Sequence, residues 1–431
     1  MASGKRRMSR KDEAERILGE AAAVDVPVAC DVCVMGGGAS GLVAAITAAE
    51  AGASVVVLER SPEAGRSILA TGNGRCNFAN VDLRPKYYSD PDFAAAVMGR
   101  NPLDDILSFF RECGLVWSLE DGRLYPRSLQ ASSVRTVLLA RARVAGVVLA
   151  CAREVTDIHP GGQDTTVSSA ELWDGGTSRT LSCRSLVIAC GGPRDGQPLP
   201  ALDVPRVEAR PVLCALACED SPLAALDGRR AACVATLVRD DFTPLARERG
   251  EVLFRDYGLS GIVIFDLSRL AQPGDTIELD LVPDLTTIEV GQRLGLRPDL
   301  PADYQPDMRT ALCGMLDPAI ADVLWELADG PWAEEHLPRR PGSIEGSGIM
   351  ALVKGLPFRV TGPADPEHAQ VMAGGIALGA VDPETLAVRD HRGLYACGEA
   401  LDLDGACGGF NLAFAWTSGL RAGLSAVRMA G

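Results

Sequence analysis

The feature that most constrains the fold is a glycine pattern directly after a short apolar run near the N-terminus. Residues 32–35 are apolar and predict a buried strand. The pattern that follows is G-x-G-x-x-G, formed by Gly36, Gly38 and Gly41. Glycines at this spacing permit a tight turn, a close approach of a diphosphate to the backbone, and close packing of a helix against a strand.

The residues after the glycines complete a βαβ unit. An alanine-rich stretch predicts a helix that stops near Gly52, and residues 54–58 predict a second strand that leads to Glu59. An acid at this place accepts hydrogen bonds from an adenosine ribose, while the free N–H groups of the helix N-terminus hold the diphosphate. The sequence therefore predicts a Rossmann-like, dinucleotide-binding domain of the α/β class.

Composition and charge exclude several classes of protein. The chain has 431 residues, 47% of them hydrophobic, and a formal net charge of −15. We expect no nucleic-acid partner, because that would require a basic face. No apolar run reaches the roughly 18 residues of a membrane span, so we expect no membrane partner. The first 28 residues lack the apolar core of a secretory signal, which predicts a cytoplasmic location and reduced thiols for the thirteen cysteines.

The order of predicted elements indicates an α/β domain that is interrupted and then resumed. Short strands with polar turns replace the α/β alternation after about residue 200; residues 262–267 are predicted to be one of them. The predicted segments are a disordered or helical leader at 1–28, nucleotide-binding parts at 29–200 and 369–431, a β-rich substrate domain at 201–283 that returns at 341–368, and a helical insertion at 284–340.

A second glycine-acid element lies near the C-terminus. Residues 393–397 predict a strand that ends in Gly398 and Glu399, and Gly408 and Gly409 precede a predicted helix at 410–427. An early G-x-G-x-x-G combined with this late element resembles the two-part FAD site of the glutathione-reductase-like flavoproteins. In that group the late acid binds the ribityl chain, and the late helix points its N-terminus at the flavin, where a helix dipole stabilises the charge of the reduced ring.

Two longer segments narrow the resemblance. TGNGRCN at residues 71–77 and the stretch from Gly398 to Leu412 resemble two signatures of the BaiN-like flavoprotein family, which includes aminoacetone oxidases and reductases of bile-acid enones. The resemblance implies FAD as the cofactor and a Rossmann-like FAD-binding domain with an inserted β-rich, barrel-like domain that carries a helical subdomain.

The resemblance also implies a set of FAD contacts. The glycine turn would hold the pyrophosphate, Glu59 the ribose, the backbone of Val155 the adenine, the segment 66–77 the flavin, and the late element the ribityl chain and pyrimidine edge. The implied residues are Gly36, Gly38, Ala39, Ser40, Gly41, Glu59, Arg60, Arg66, Asn73, Gly74, Arg75, Cys76, Asn77, Val155, Gly191, Gly398, Glu399, Asp404, Gly409, Phe410, Asn411 and Leu412. Arg75 is expected to act as a cation near the flavin or a substrate anion, with a surface arginine as the alternative. For Cys76 and Cys407 packing is favoured over a redox dithiol.

The sequence departs from the family pattern at three places. Ser67 stands where Lys is common, and Phe410 replaces the usual Tyr. In the inserted domain the family's THxGxSGP becomes RDYGLSGI at residues 255–262, without the His and the Pro. Tyr257 is the candidate proton donor there, with Asp256 orienting substrate or reaching Arg255. Strand-end structure is the alternative for both residues. The histidines show no metal-ligand spacing, so no metal site is expected.

These observations predict an enzyme, an FAD-dependent oxidoreductase that acts on a small or medium organic substrate. The leading hypothesis is a reductase of an activated C=C bond with NAD(P)H as a transient donor, since no second G-x-G-x-x-G is present. The alternatives are an amine or aminoketone oxidase that forms hydrogen peroxide, and a non-catalytic flavin-binding redox sensor. A flavin-dependent RNA-modifying role is disfavoured by the acidic charge. The sequence does not predict the oligomeric state.

Overall fold

A computed structural model describes residues 9–192, 202–295, 307–328, 330–336 and 348–430. The chain forms two compact units. One comprises Met1–Arg210 with Val371–Gly431, and the other is Pro211–Gln370. The domain boundaries predicted near residues 200 and 340 fall outside the described residues.

The described helices and strands follow a clear order along the chain. The helices are α1 (Arg10–Ala22), α2 (Ala39–Glu50), α3 (Arg66–Ala70), α4 (Pro91–Met98), α5 (Pro102–Glu112), α6 (Ala131–Val144), α7 (Ile262–Ser268), α8 (Thr287–Leu294), α9 (Met308–Cys313), α10 (Pro318–Leu327), α11 (Pro331–His336), α12 (Gly348–Gly355) and α13 (Phe410–Ala430). The strands are β1 (Ala29–Met35), β2 (Val55–Leu58), β3 (Ala79–Asn80), β4 (Trp117–Glu120), β5 (Arg123–Pro126), β6 (Val148–Ala150), β7 (Arg153–Pro160), β8 (Thr165–Glu171), β9 (Thr177–Ile188), β10 (Arg206–Val212), β11 (Leu216–Cys218), β12 (Arg230–Val238), β13 (Pro244–Arg255), β14 (Gly258–Ser260), β15 (Thr276–Asp280), β16 (Leu356–Pro363), β17 (Val371–Ile376) and β18 (Leu394–Ala396).

The first unit is built on a seven-stranded sheet in the order β6-β2-β1-β9-β8-β7, with β18 also beside β9. Strands β6, β2, β1, β9 and β18 are parallel, whereas β7 and β8 are antiparallel additions at one edge. Met35 pairs with Leu58 and Ile188, and Ala396 also pairs with Ile188. Four carboxyl ends of parallel strands therefore meet at one edge, which is where open α/β sheets bind ligands.

Helices α2 and α13 pack closely against each other in this unit. A Cβ at Gly419 would lie 2.6 Å from the Ser40 carbonyl oxygen, and one at Gly423 would lie 2.5 Å from that of Ala44. Only a residue without a side chain permits this approach. The contact joins the helix of the early glycine motif to the helix of the late motif, so the two ends of the chain form one core.

The second unit contains a closed barrel of six strands in the order β11-β14-β13-β12-β15-β16. Every described pairing in it is antiparallel. Helices α7 to α12 belong to this unit, and buried residues of α8, α10 and α12 share one apolar core with the barrel strands. The predicted architecture, a Rossmann-like α/β domain with an inserted β-rich, barrel-like domain that carries helices, is confirmed.

One predicted element differs in the structure. Residues 262–267, predicted as a strand, form helix α7. Val263, Ile264 and Leu267 are among its buried apolar residues, and their spacing is that of one face of a helix. A short run of mostly apolar residues does not reveal this spacing, because a strand and a helix give the same pattern there. Strands β6 and β7 are separated at Ala152, which has a left-handed φ of 54°.

Candidate active site

The early glycine motif leaves the N-terminus of α2 open. Gly36 has a φ of 102°, which excludes a side chain without strain, and a Cβ at Gly41 would lie 1.9 Å from the Gly36 carbonyl oxygen. Within the described chain, no side chain caps α2 at Gly38. The N–H groups of Ala39 and Ser40 at the start of this helix therefore remain available to an anion, as a diphosphate requires.

Glu59 lies where the sequence predicted a ribose ligand. Its carboxylate accepts hydrogen bonds from the backbone N–H groups of Gly37 and Ser61, each at 2.6 Å. These contacts fix its orientation at the mouth of the glycine turn and leave further lone pairs on both oxygens. The neighbouring Arg60 forms an ion pair with Glu154 at 3.1 Å, and Val155 follows on β7 as a half-buried residue.

The late glycine-acid element contacts the early motif directly. A Cβ at Gly398 would lie 2.4 Å from the Ser40 hydroxyl oxygen, and the Gly398 N–H donates to the Ser418 hydroxyl at 3.0 Å. Glu399 is half-buried in the short 3-10 turn Gly398–Ala400. The acid predicted to hold the ribityl chain therefore lies beside the helix predicted to hold the diphosphate.

The most informative polar atom of the site is the Asn77 side-chain oxygen. It is buried and has no hydrogen-bond partner among the residues that the structure describes. It lies against Gly409, where an added Cβ would be 2.7 Å away, and Gly409 has a φ of 96°. Asn80 donates to the Gly408 carbonyl oxygen at 2.9 Å and closes the same junction. A buried acceptor without a donor is costly, so this atom fits a ligand that donates a hydrogen bond.

Several aromatic contacts order the start of α13. Phe410 is buried and stacks on Tyr87 with ring centroids 4.5 Å apart, and the Tyr88 hydroxyl donates to the Phe410 carbonyl oxygen at 3.0 Å. Asn411 accepts from the Gly405 N–H at 2.7 Å and donates to the Gly405 carbonyl oxygen at 2.9 Å. The Asn411 side chain thus shapes the preceding loop, and the first N–H groups of the helix, including that of Leu412, have no partner within the helix.

Residues 66–76 form the remaining side of the predicted flavin site. Arg66 is exposed at the first position of α3, and Asn73 has a left-handed φ of 53° in the turn Thr71–Gly74. Arg75 pairs with Glu120 at 2.5 Å, and its guanidinium carbon lies 4.4 Å from the centroid of Tyr125. The charge of Arg75 is therefore compensated within the protein. This arrangement fits both the predicted role near the flavin and the alternative of a surface arginine.

Three cysteines of the site have thiol pKa values above the usual range. Cys76 is fully buried, and burial raises the pKa of its thiol to about 11. Burial likewise raises the pKa values of Cys190 and Cys397 to about 12. All thirteen cysteines are free thiols. Because a thiolate is the reactive form, the raised pKa of Cys76 favours packing over a redox role for this thiol, as predicted.

Asp404 and Gly191 complete the predicted set. Asp404 is 3% exposed, its N–H donates to Ser89 Oγ at 3.1 Å, and its carbonyl oxygen accepts from the Ser89 N–H at 2.9 Å. A Cβ added at Gly191 would have no atom within 4 Å among the described residues. Taken together, an uncapped helix, an orphaned buried acceptor and glycines pressed against backbone fit the pyrophosphate and isoalloxazine of FAD.

The candidate catalytic residues lie in the second unit, at the turn between β13 and β14. Tyr257 is 39% exposed and Asp256 is also exposed. The Arg255 guanidinium lies 5.3 Å from the Tyr257 ring centroid. The expected contact between Asp256 and Arg255 is not among the ion pairs of the described residues. Arg255 pairs instead with Asp227 at 3.0 Å, and Asp227 also accepts from the Asp256 N–H at 3.2 Å.

Sequence reasoning missed three partners of the site. Asp227 contacts the turn that contains Tyr257, lies 28 residues before Arg255, and belongs to no sequence motif. Ser418 and Tyr87 are the other two, and neither lies in a motif that the sequence shows. Among the described residues, no group of three or more His, Cys, Asp or Glu is placed to hold a metal ion.

Comparison with known proteins decides the family. A profile described as the HI0933-like protein Rossmann domain matches residues 30–425. The chain belongs to the HI0933-like family. Its similarity to a 3-dehydro-bile acid delta(4,6)-reductase from Clostridium scindens is 30% identity over 427 residues, covering 91% of this chain and 98% of that protein. A ribosomal RNA dihydrouridine synthase from Escherichia coli is 25% identical over 408 residues, covering 90% and 96%.

Among solved structures, the open conformation of a flavocytochrome c3 fumarate reductase covers 100% of this chain and 83% of its own, with 15% identity and a TM-score of 0.47. This HI0933-like protein is an FAD-dependent oxidoreductase, and the predicted BaiN-like membership is confirmed. None of its described helices is both long and apolar enough to cross a membrane.

Proposed function

We propose that this HI0933-like protein reduces a C=C bond conjugated to a carbonyl group, with NAD(P)H as the electron donor. The observation that carries the proposal is the full-length similarity to a bile-acid delta(4,6)-reductase. The second relative is named a ribosomal RNA dihydrouridine synthase, and the formation of dihydrouridine from uridine also saturates a C=C bond beside a carbonyl group. The two names differ in substrate but share one type of reaction.

The residues assigned to the cofactor would act by binding and orientation. Bound FAD would carry the hydride from the nicotinamide to the electron-poor carbon of the substrate. The N–H groups at the start of α13, with Asn77, would hold the pyrimidine edge of the ring, and the start of α2 would hold the diphosphate. A helix N-terminus at this edge stabilises negative charge that gathers there on reduction.

A saturated product also needs a proton on the adjacent carbon. We assign this proton to the Tyr257 hydroxyl, because it is an exposed donor on a turn fixed by Asp227. The Arg255 guanidinium beside the ring stabilises the charge that develops on the phenol oxygen as the proton leaves. Hydride and proton together convert C=C to CH–CH, and NAD(P)H becomes NAD(P)⁺.

The substrate class is proposed to be a small or medium organic molecule and not RNA. The formal net charge is −15. A protein that neutralises RNA phosphates needs a basic surface. The 25% identity to an RNA-modifying enzyme makes RNA the alternative to test.

The test is anaerobic mixing of the purified holoprotein with NADH, NADPH, or a panel of amines, followed by addition of an enone. The proposal expects the nicotinamide to bleach the flavin and the enone to restore its colour. With a nicotinamide deuterated at its transferable position, deuterium appears at the β-carbon of the product. Bleaching by an amine alone, with peroxide on admission of air, supports the oxidase alternative. Incorporation of deuterium into ribosomal RNA transcripts but into no enone overturns the assigned substrate class.

A further inference from the structure

Helix α1 is an element of this chain that lies before the segment matched to the family, which begins at residue 30. It starts with a complete capping box, in which Ser9 and Asp12 each accept a hydrogen bond from the backbone of the other. Its Ala21 side chain is 5% exposed and belongs to the core of the first unit, and Leu18 packs against the same core. The helix is therefore folded onto the FAD-binding unit.

The C-terminal end of α1 is held by a charge from elsewhere in the chain. The helix has no basic residue in its own last turn. The Arg153 guanidinium donates to the Ala21 carbonyl oxygen at 3.5 Å and to the Val24 carbonyl oxygen at 3.2 Å. A cation at this end satisfies free carbonyl groups and complements the helix dipole.

Arg153 is an unusual side chain for such a contact, because only 4% of its surface is exposed. Its guanidinium carbon lies 4.6 Å from the Trp173 ring centroid, and Nη2 lies 3.8 Å from the Glu171 carboxylate. A charged group is rarely buried without several partners. The partners of Arg153 include backbone carbonyl groups of α1 and of the residues that follow it.

The backbone of Arg153 leads directly to the predicted ribose ligand. Its N–H donates to the Glu59 carbonyl oxygen at 2.9 Å, and the Glu59 N–H donates to the Ala150 carbonyl oxygen at 3.0 Å. The Ala152 N–H donates to the Ser61 carbonyl oxygen at 2.9 Å. The segment 59–61 is thus hydrogen-bonded to the segment 150–153. The last residue of that segment is Arg153, whose side chain contacts the end of α1.

We propose that helix α1 is part of the FAD-binding apparatus: by fixing Arg153, it fixes the backbone position of Glu59 and so tightens the grip on the adenosine half of FAD. Arg153 is a positioning residue in this account and does not touch the cofactor. The inference concerns cofactor retention only, so it stands or falls independently of the proposed reductase activity.

The first test uses the full-length protein with Arg153→Met and, as the matched control, Arg16→Met on the exposed face of α1. Arg16 pairs only with Glu13 and Glu20 of the same helix among the described residues. We expect Arg153→Met to raise the Kd for FAD about tenfold, the effect of losing hydrogen bonds that position a binding group. Arg16→Met should leave it unchanged, and Arg153→Lys should restore part of the affinity.

A second variant guards against simple misfolding of Arg153→Met. Leu18→Asp disturbs the packing of α1 and leaves Arg153 in place. Its Kd for FAD should also rise, whereas its Kd for FMN, which lacks the adenosine, should not. A lower melting temperature with an unchanged Kd for FAD in both variants means that α1 only stabilises the fold, and the inference is then wrong. Equal weakening for FAD and FMN also overturns it.

A double-mutant cycle with Glu59→Gln gives the sharpest discrimination. If Arg153 acts through Glu59, the Arg153→Met effect on FAD affinity shrinks in the Glu59→Gln background, because the group being positioned has already lost its charge. If the increases in Kd for FAD caused by Arg153→Met and Glu59→Gln simply multiply in the double variant, Arg153 does not act through Glu59. The rate at which FAD leaves the holoprotein on dilution is a second readout, and it should rise wherever the Kd rises.

Discussion

The two units of this protein place their chemistry in different ways. In the FAD-binding unit the predicted contacts are mainly backbone groups and glycines, and an added Cβ at Gly41 would meet a carbonyl oxygen at 1.9 Å. In the barrel unit the candidate catalytic group, Tyr257, is an exposed side chain on a turn that is fixed by the Arg255–Asp227 ion pair. We therefore expect substitution in the first region to change the fold of the site, and substitution of Tyr257 in the second to change turnover and leave the fold intact.

The largest effect is expected from Gly41→Ala. Overpacking of this kind costs about 3 kcal/mol of folding stability. If the glycine turn shifts to relieve it, FAD affinity should fall about 100-fold, and the protein should be purified largely colourless. The matched control is Gly162→Ala, because no atom lies within 4 Å of a Cβ added there. Flavin content and a thermal melt measure both variants. A yellow Gly41→Ala protein with normal affinity would contradict the rigid geometry assigned to the first region.

A large effect on turnover alone is expected from Tyr257→Phe. Loss of a general acid lowers kcat for enone reduction about 100-fold, while FAD affinity and the rate of flavin reduction by NAD(P)H stay unchanged. Phe242→Leu is the control, since Phe242 is 62% exposed on another hairpin of the barrel unit. Stopped-flow measurement of the two half-reactions separates the steps. A fall in the nicotinamide half-reaction, or no fall in either, contradicts the role assigned to the hydroxyl.

A smaller effect is expected from Asn77→Ala. The Asn77 oxygen is buried without a described partner. If it accepts a hydrogen bond from the flavin, its removal should weaken FAD binding about tenfold. Asn101→Ala is the matched control, because Asn101 is exposed and makes no capping bond to α5. Fluorescence titration with FAD compares the two variants. If Asn77→Ala binds FAD as tightly as Asn101→Ala does, Asn77 is not part of the binding site.

The smallest effect is expected in thiol labelling, and it depends on pH. Cys313 is exposed, whereas Cys76 has a pKa raised to about 11 and Cys190 and Cys397 have pKa values near 12. A raised pKa lowers the thiolate fraction at pH 8, and reactivity then grows as the pH rises toward the folded-state pKa. Mass spectrometry after brief alkylation of the holoprotein should find Cys313 modified first. Rapid labelling of Cys76 would reopen the dithiol alternative.

The sequence predicted those parts of the molecule that are specified locally. The unit β1-α2-β2 was identified because its strands, glycines and acid lie within thirty residues and each has a direct physical role. The helix α13 was likewise predicted from the glycines before it. Helix α7 was predicted incorrectly because a six-residue apolar run does not distinguish a strand from a helix.

The contacts that the sequence did not predict join residues far apart in the chain. Arg153 meets a carbonyl group 132 residues earlier, and its burial is not visible in any pattern around it. Asp227 pairs with Arg255 only because the barrel brings the turn after Leu226 to the end of β13. Such pairs follow from the tertiary fold, whereas motif spacing reports local structure alone.

The most direct test of the central claim is the flavin content of the purified protein after gentle denaturation, combined with a titration of the stripped protein with FAD. The two-ended site predicts a yellow protein that releases FAD in amounts equal to the chain, and tight rebinding that is lost in Gly41→Ala. A colourless protein that takes up no FAD would contradict the account.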